Sequence, residues 1–163
     1  IVVNLDHAWD YYDAAIAVAE KVGVVDQILM KGKKPLKTVE EKLASHENNF
    51  MYMPIIDINK PAGQKLFDQY KELGVGTQLA YEICWQKMTP EVSNCMKAII
   101  EGGSKVWVNT IWGSLCGYLD DDAAFELGAE KYYGPVVDMG ATMIQTDRPE
   151  FLINYLKSRS LHD

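Results

Sequence analysis

Short apolar runs alternate along this chain with longer stretches whose apolar residues recur at helical spacing. Val2, Val3 and Leu5 predict a first strand, and Tyr12, Ala15, Ile16, Ala19 and Val22 share one helical face that ends at Gly23. The remaining strands are predicted at Val25 to Met30, Met51 to Ile56, Leu79 to Trp85, Val106 to Ile111 and Met143 to Gln145. Between them, Pro35, Pro61 and Thr89-Pro90-Glu91 each open a helix, where proline gives up an N–H that has no partner. Gly74 and Gly102-Gly103 stop the second and third of these, and a fifth helix spans Ala123 to about Tyr132. The last begins at Pro149 and carries Phe151, Leu152, Tyr155 and Leu156 inward.

Six strands alternating with six helices, about 27 residues apart, predict a parallel sheet covered by helices. The segments run together without a linker, so residues 1–163 read as a single domain. Neither a strand-linked Gly-x-Gly-x-x-Gly nor a Gly-x-x-x-x-Gly-Lys-Ser/Thr motif is present, so nucleotide-binding doubly wound folds lack their markers. The expected architecture is α/β, a (β/α)8 barrel. Such barrels take about 250 residues, so six βα units are about three quarters of one. The opening Ile1-Val2-Val3-Asn4-Leu5, already inside a strand, agrees with a chain lacking the first two units. Two open strand edges would then invite the missing strands or self-association.

Composition narrows the partners. A formal net charge of −7, without a basic stripe interleaved with aromatics, argues against nucleic acid and anionic membrane surfaces. No apolar run approaches the roughly 20 residues of a membrane span. Cys84, Cys95 and Cys116 are too widely spaced for a zinc or redox motif and read as buried free thiols.

In a barrel, chemistry sits at the carboxyl ends of the strands. Asn4 and Asp6 share one face of the first strand, and Asp6 suits a hard divalent cation, Ca²⁺ or Mg²⁺, as readily as it suits a helix cap or a hydrogen-bonded core acid. Lys31 ends the second strand, where an ammonium could hold a phosphate oxygen or stabilise developing charge in catalysis; a surface lysine beside Gly32 and Lys33 is at least as good a reading. Glu82 and Trp85 lie on or just after the fourth strand, Trp107 and Asn109 share a face of the fifth, and Trp112 follows it. Glu82, Asn109 and Trp112 are the candidates for contacting a small polyol or sugar-like group, against the alternative that the indoles only pack. His7 could act as acid or base, although a lone histidine at a strand end is usually structural. Asp120-Asp121-Asp122 reads first as a helix cap complementing the dipole, and only second as a metal cluster.

Met143-Ile144-Gln145-Thr146-Asp147-Arg148-Pro149-Glu150-Phe151-Leu152 closely resembles the last strand and helix of glycerophosphodiester phosphodiesterases. Asn4-Leu5-Asp6 resembles that family's third-strand Asn-apolar-Glu, whose acid helps bind the metal, and Val106 to Trp112 resembles its seventh strand. The resemblance implies a metal-dependent (β/α)8 hydrolase that cleaves glycerophosphodiesters to sn-glycerol 3-phosphate and an alcohol. Departures accompany it. Asp6 stands for Glu, Ala8 for a lysine and Asn109 for a tryptophan, and the family's His-Arg, Glu-x-Asp and catalytic His have no counterpart. Residues 1–163 are therefore expected to be inactive alone, and a non-catalytic barrel domain binding a phosphorylated ligand or a protein partner is the alternative.

Overall fold

A computed structural model describes residues 1–163. Six strands are present: β1 (Val3–Leu5), β2 (Ile28–Gly32), β3 (Met51–Asp57), β4 (Ala80–Cys84), β5 (Lys105–Asn109) and β6 (Met143–Gln145). Seven helices accompany them: α1 (Tyr12–Val22), α2 (Leu36–Ala44), α3 (Pro61–Leu73), α4 (Pro90–Glu101), α5 (Asp121–Leu127), α6 (Ala129–Asp138) and α7 (Pro149–Ser158). Every strand pairing is parallel, and the order across the sheet is the order along the chain.

This corrects the expected (β/α)8 barrel. The sheet is open: β1 pairs only with β2 and β6 only with β5, so six strands form a curled half-barrel. Closing a barrel of this type around its side chains takes eight strands with matched tilt and stagger. The helix count differs as well. The predicted helix from Ala123 to about Tyr132 is split at Gly128, whose φ of 113° lies outside the helical region and redirects the chain between α5 and α6. Near β2 the error is one of boundary: residues 25–27 form a 3-10 turn, and the strand runs on through Lys31 to Gly32.

Sequential strand order with right-handed crossovers puts all the helices on one face. There Ile28, Met30, Tyr52, Ile56, Tyr81, Ile83, Val106 and Val108 meet Tyr12, Ile16, Val39, Leu66, Val92 and Met96 in the main core. Alternate residues turn to the concave face, where Leu29, Met53 and Ala80 cluster with Met51, Trp107 and Met143. Register carries this alternation across the sheet: Glu82 lies opposite Ile55 and Trp107, and Gln145 opposite Asn109.

Cys84, Cys95 and Cys116 are free and buried. Burial pushes each thiol up to about 12, with Glu82 adding to the effect at Cys84. While they stay buried, the thiols are protonated at pH 8 and poor nucleophiles. A disulfide-forming chromogenic reagent is therefore expected to leave the native protein unlabelled over hours and to count three thiols in denaturant. Fast labelling of any cysteine in the native state would contradict this packing.

Candidate functional site

The polar group in the concave face is built from four strands. Lys31 comes from β2, Glu82 from β4, Trp107 from β5 and Gln145 from β6. The Lys31 ammonium sits 2.9 Å from Glu82 Oε2, with both side chains almost wholly removed from solvent. It also donates to Gln145 Oε1 at 3.1 Å and lies 5.3 Å from the centre of the Trp107 ring. Trp107 Nε1 donates to the same Gln145 oxygen at 3.3 Å.

That convergence measures the curl of the sheet. β2 and β6 are four steps apart, which in a flat sheet is about 19 Å. A lysine and a glutamine reaching toward one another, with the hydrogen bond between them, span roughly 14 Å. Only a strongly bent sheet lets them touch.

Two donors, from a cation and an indole, fix the Gln145 carboxamide oxygen inward. Its Nε2 makes no hydrogen bond within the protein, so two N–H groups remain to offer. Glu82 Oε2 meets the Lys31 ammonium at ion-pair distance but outside hydrogen-bond geometry, and it has no other partner. Asn4 Oδ1, one strand further on, is also buried without a partner. An ion pair and orphaned acceptors inside a sheet cost desolvation energy that an apolar core would not.

The sequence candidates separate in the structure. Lys31 and Glu82 are brought together. Asn109 is buried nearby, but its Oδ1 accepts the Ile111 N–H at 3.1 Å, so it holds the turn that leaves β5. Trp112 is 64% exposed in the loop beyond and touches none of the four. Asp6 lies past the end of β1 with its carboxylate largely exposed, 3.5 Å from His7 Nε2. Ca²⁺ takes six to eight oxygen ligands and Mg²⁺ six, several of them water, and no group of three or more acidic, histidine or cysteine side chains that could hold a metal ion is present.

Thr146-Asp147-Arg148-Pro149 has a different task. Asp121, only 3% exposed, accepts from Thr110 Oγ1 (2.6 Å) and Tyr133 OH (2.9 Å) on one carboxylate oxygen. Its other oxygen accepts from Thr146 Oγ1 (2.8 Å) and from the Asp147 N–H (2.7 Å). One carboxylate thus ties the end of β5, the start of α5, α6 and the β6–α7 turn. Asp120 caps α5 through the Ala123 N–H, and Asp122 pairs with Arg148 at 2.6 Å. The acidic triplet is a cap, an anchor and a surface ion pair.

Gln145 and the anchoring role of Asp121 were not visible in the sequence. Gln145 closes a run read as apolar, but two-residue alternation already put it on the face of Trp107 and Asn109. Nothing about Asp121 set it apart from its two acidic neighbours.

No helix is long and apolar enough to cross a membrane. The model of a family described as a domain of unknown function, DUF4996, matches residues 52–156. No curated protein matches the chain.

Proposed function

The chain belongs to the DUF4996 family, and since the matched segment holds Glu82, Trp107 and Gln145, we propose that the concave face of this family's sheet is a binding surface for a small phosphorylated polyol. The ligand class is the glycerophosphodiester group that the sequence resemblance implies. The observation that supports the reading is the Gln145 carboxamide, whose oxygen is occupied by Lys31 and Trp107 and whose two N–H groups are free. They suit the hydroxyl or ester oxygens of such a ligand, and the half-buried Trp107 ring suits its carbon skeleton. The Lys31–Glu82 pair lies beneath as a neutral, oriented support. The domain holds the ligand without cleaving it, because in-line phosphodiester hydrolysis needs a general acid or base and a charge-neutralising centre together.

Hydrolysis to sn-glycerol 3-phosphate and an alcohol is the second reading. Glu82 Oε2 favours it, being a buried acceptor left without a hydrogen bond. In that reading Lys31 stabilises charge and Asp6 is one cation ligand among others that these residues do not supply.

Calorimetric titration with sn-glycerol 3-phosphate and glycerophosphocholine, with product assayed in parallel under Mg²⁺ and Ca²⁺, tests both. Binding without turnover is expected, and it should weaken roughly tenfold in Gln145→Leu, titrated well below the lowered melting temperature of a variant whose Lys31 and Trp107 have lost their shared acceptor. Absence of binding at millimolar ligand sinks the proposal. Turnover at an enzyme-like rate replaces it with the second reading.

A further inference from the structure

Apart from the concave-face site, the molecule has a cavity of about 360 Å³ beside the carboxyl end of β3. Its origin is a mismatch of strand lengths. β2 makes its last pairing at Gly32 with Pro54, whereas β3 runs on to Asp57 alongside β4. The chain leaves β2 through Lys33 and Pro35 into α2, and the first turn of α3 returns to the same edge. Ile55 and Asp57 of the bare edge, Lys33, Lys60, Gly63 and Lys65 line the crevice between them. Crevices outside the carboxyl ends of strands are where open α/β sheets bind ligands.

Charge distinguishes this crevice from the rest of the surface. The protein is acidic, with a net charge of −7, yet three lysines and one aspartate line this space. Lys60 neutralises Asp57 at 2.7 Å. Lys33 and Lys65 have no acid within ion-pair distance. The wall is also firmly set: Gly63 lies so close to the Asp57 carbonyl that no side chain would fit, which presses the start of α3 against the strand. An anion entering the crevice would meet two lysines that have no acidic partner.

We propose that this crevice binds a small dianion of the phosphate-monoester type, with Lys33 and Lys65 supplying the charge. Two ammonium groups balance one phosphate dianion, and lysine binds phosphate as a point charge without the planar fork that arginine needs. The volume falls at the lower end of the range for small-molecule pockets, enough for a phosphorylated molecule of sugar size. The assignment uses neither Gln145 nor the Lys31–Glu82 pair, so it stands or falls separately from the concave-face reading.

Inorganic phosphate, titrated into the ¹⁵N-labelled 163-residue chain at constant ionic strength, tests it. Amide shifts should concentrate at Lys33, Ala62, Gly63 and Lys65 and should not appear with equivalent chloride. Lys33→Gln/Lys65→Gln should weaken phosphate roughly tenfold or more, each single variant by less, and Lys97→Gln on α4 should not change it. All three lysines are exposed, so an unchanged melting temperature is expected for every variant. Shifts spread over the surface lysines, shifts reproduced by chloride, or undiminished affinity in the double variant would overturn the proposal.

Discussion

Replacing Glu82 with leucine is expected to cost about 3–5 kcal/mol, because it leaves the Lys31 ammonium in the sheet interior without a counter-charge. For a domain of this size that is a fall of roughly 10 °C in melting temperature. Lys31→Met/Glu82→Leu should recover most of the loss, since a buried ion pair exchanged for apolar side chains of similar volume is often neutral or stabilising. The double variant thereby separates two roles of the pair. If the pair supports ligand binding, a stable double variant will still bind sn-glycerol 3-phosphate more weakly, as Gln145 loses the ammonium that holds its oxygen at 3.1 Å. Thermal melts of the three proteins, read with one titration, decide the matter. A single Glu82→Leu variant as stable as the parent would mean that Lys31 reaches water, contrary to its burial.

The second large effect belongs to Asp121. Truncation to alanine strands the Asp147 N–H and the Tyr133 and Thr146 hydroxyls around a nearly closed space, while Thr110 keeps the Gln145 carbonyl oxygen, and about 3–5 kcal/mol of stability should be lost. Asparagine should be far milder. Its carboxamide oxygen can keep the Thr146 hydroxyl and the Asp147 N–H, which cannot turn away. Its NH2 would then face Thr110 and Tyr133, whose hydroxyls can rotate to accept. Denaturant melts of Asp121→Ala and Asp121→Asn should therefore differ by a factor of two or more in lost stability. Equal losses would mean that the negative charge, not the hydrogen-bond pattern, carries the anchor.

Most of the sheet was legible because its signal is local. Ile83 and Glu82, or Val108 and Trp107, alternate between helix-facing and concave positions, and that alternation needs no knowledge of neighbouring strands. Closure of the sheet is not local. The resemblance at Thr146 to Pro149 and the count of βα units pointed to an eight-stranded barrel, but whether β1 meets β6 depends on how many strands there are to share the curvature. The split at Gly128 was also missed, since a glycine within a helical pattern reads as a tolerated defect as often as a break. At the site, Lys31 and Glu82 stand out in the sequence only singly, Lys31 at the end of the second strand and Glu82 on the fourth. Their meeting across β3, and the reach to Gln145, are properties of curvature that no spacing along the chain encodes. Trp112 shows the reverse error: an indole just past a strand looks like part of a mouth, yet the loop carries it outward.

Strand order identical to chain order has one further consequence, for how the protein assembles. Each strand finds its partner in the next one synthesised, so contacts stay short in sequence and the sheet can grow by addition at one growing edge. Solvent contact follows the same gradient, with β4 buried along its whole length and β1 and β6 only partly covered. Cohesion in such an array resembles that of a stack of repeats more than that of a closed shell: strongest in the middle and loosest at the ends. The Lys31 to Gln145 hydrogen bond runs across this gradient. It joins an early strand to the last one, so it can form only when the array is complete, and it makes the finished curl a cooperative state rather than a row of independent hinges.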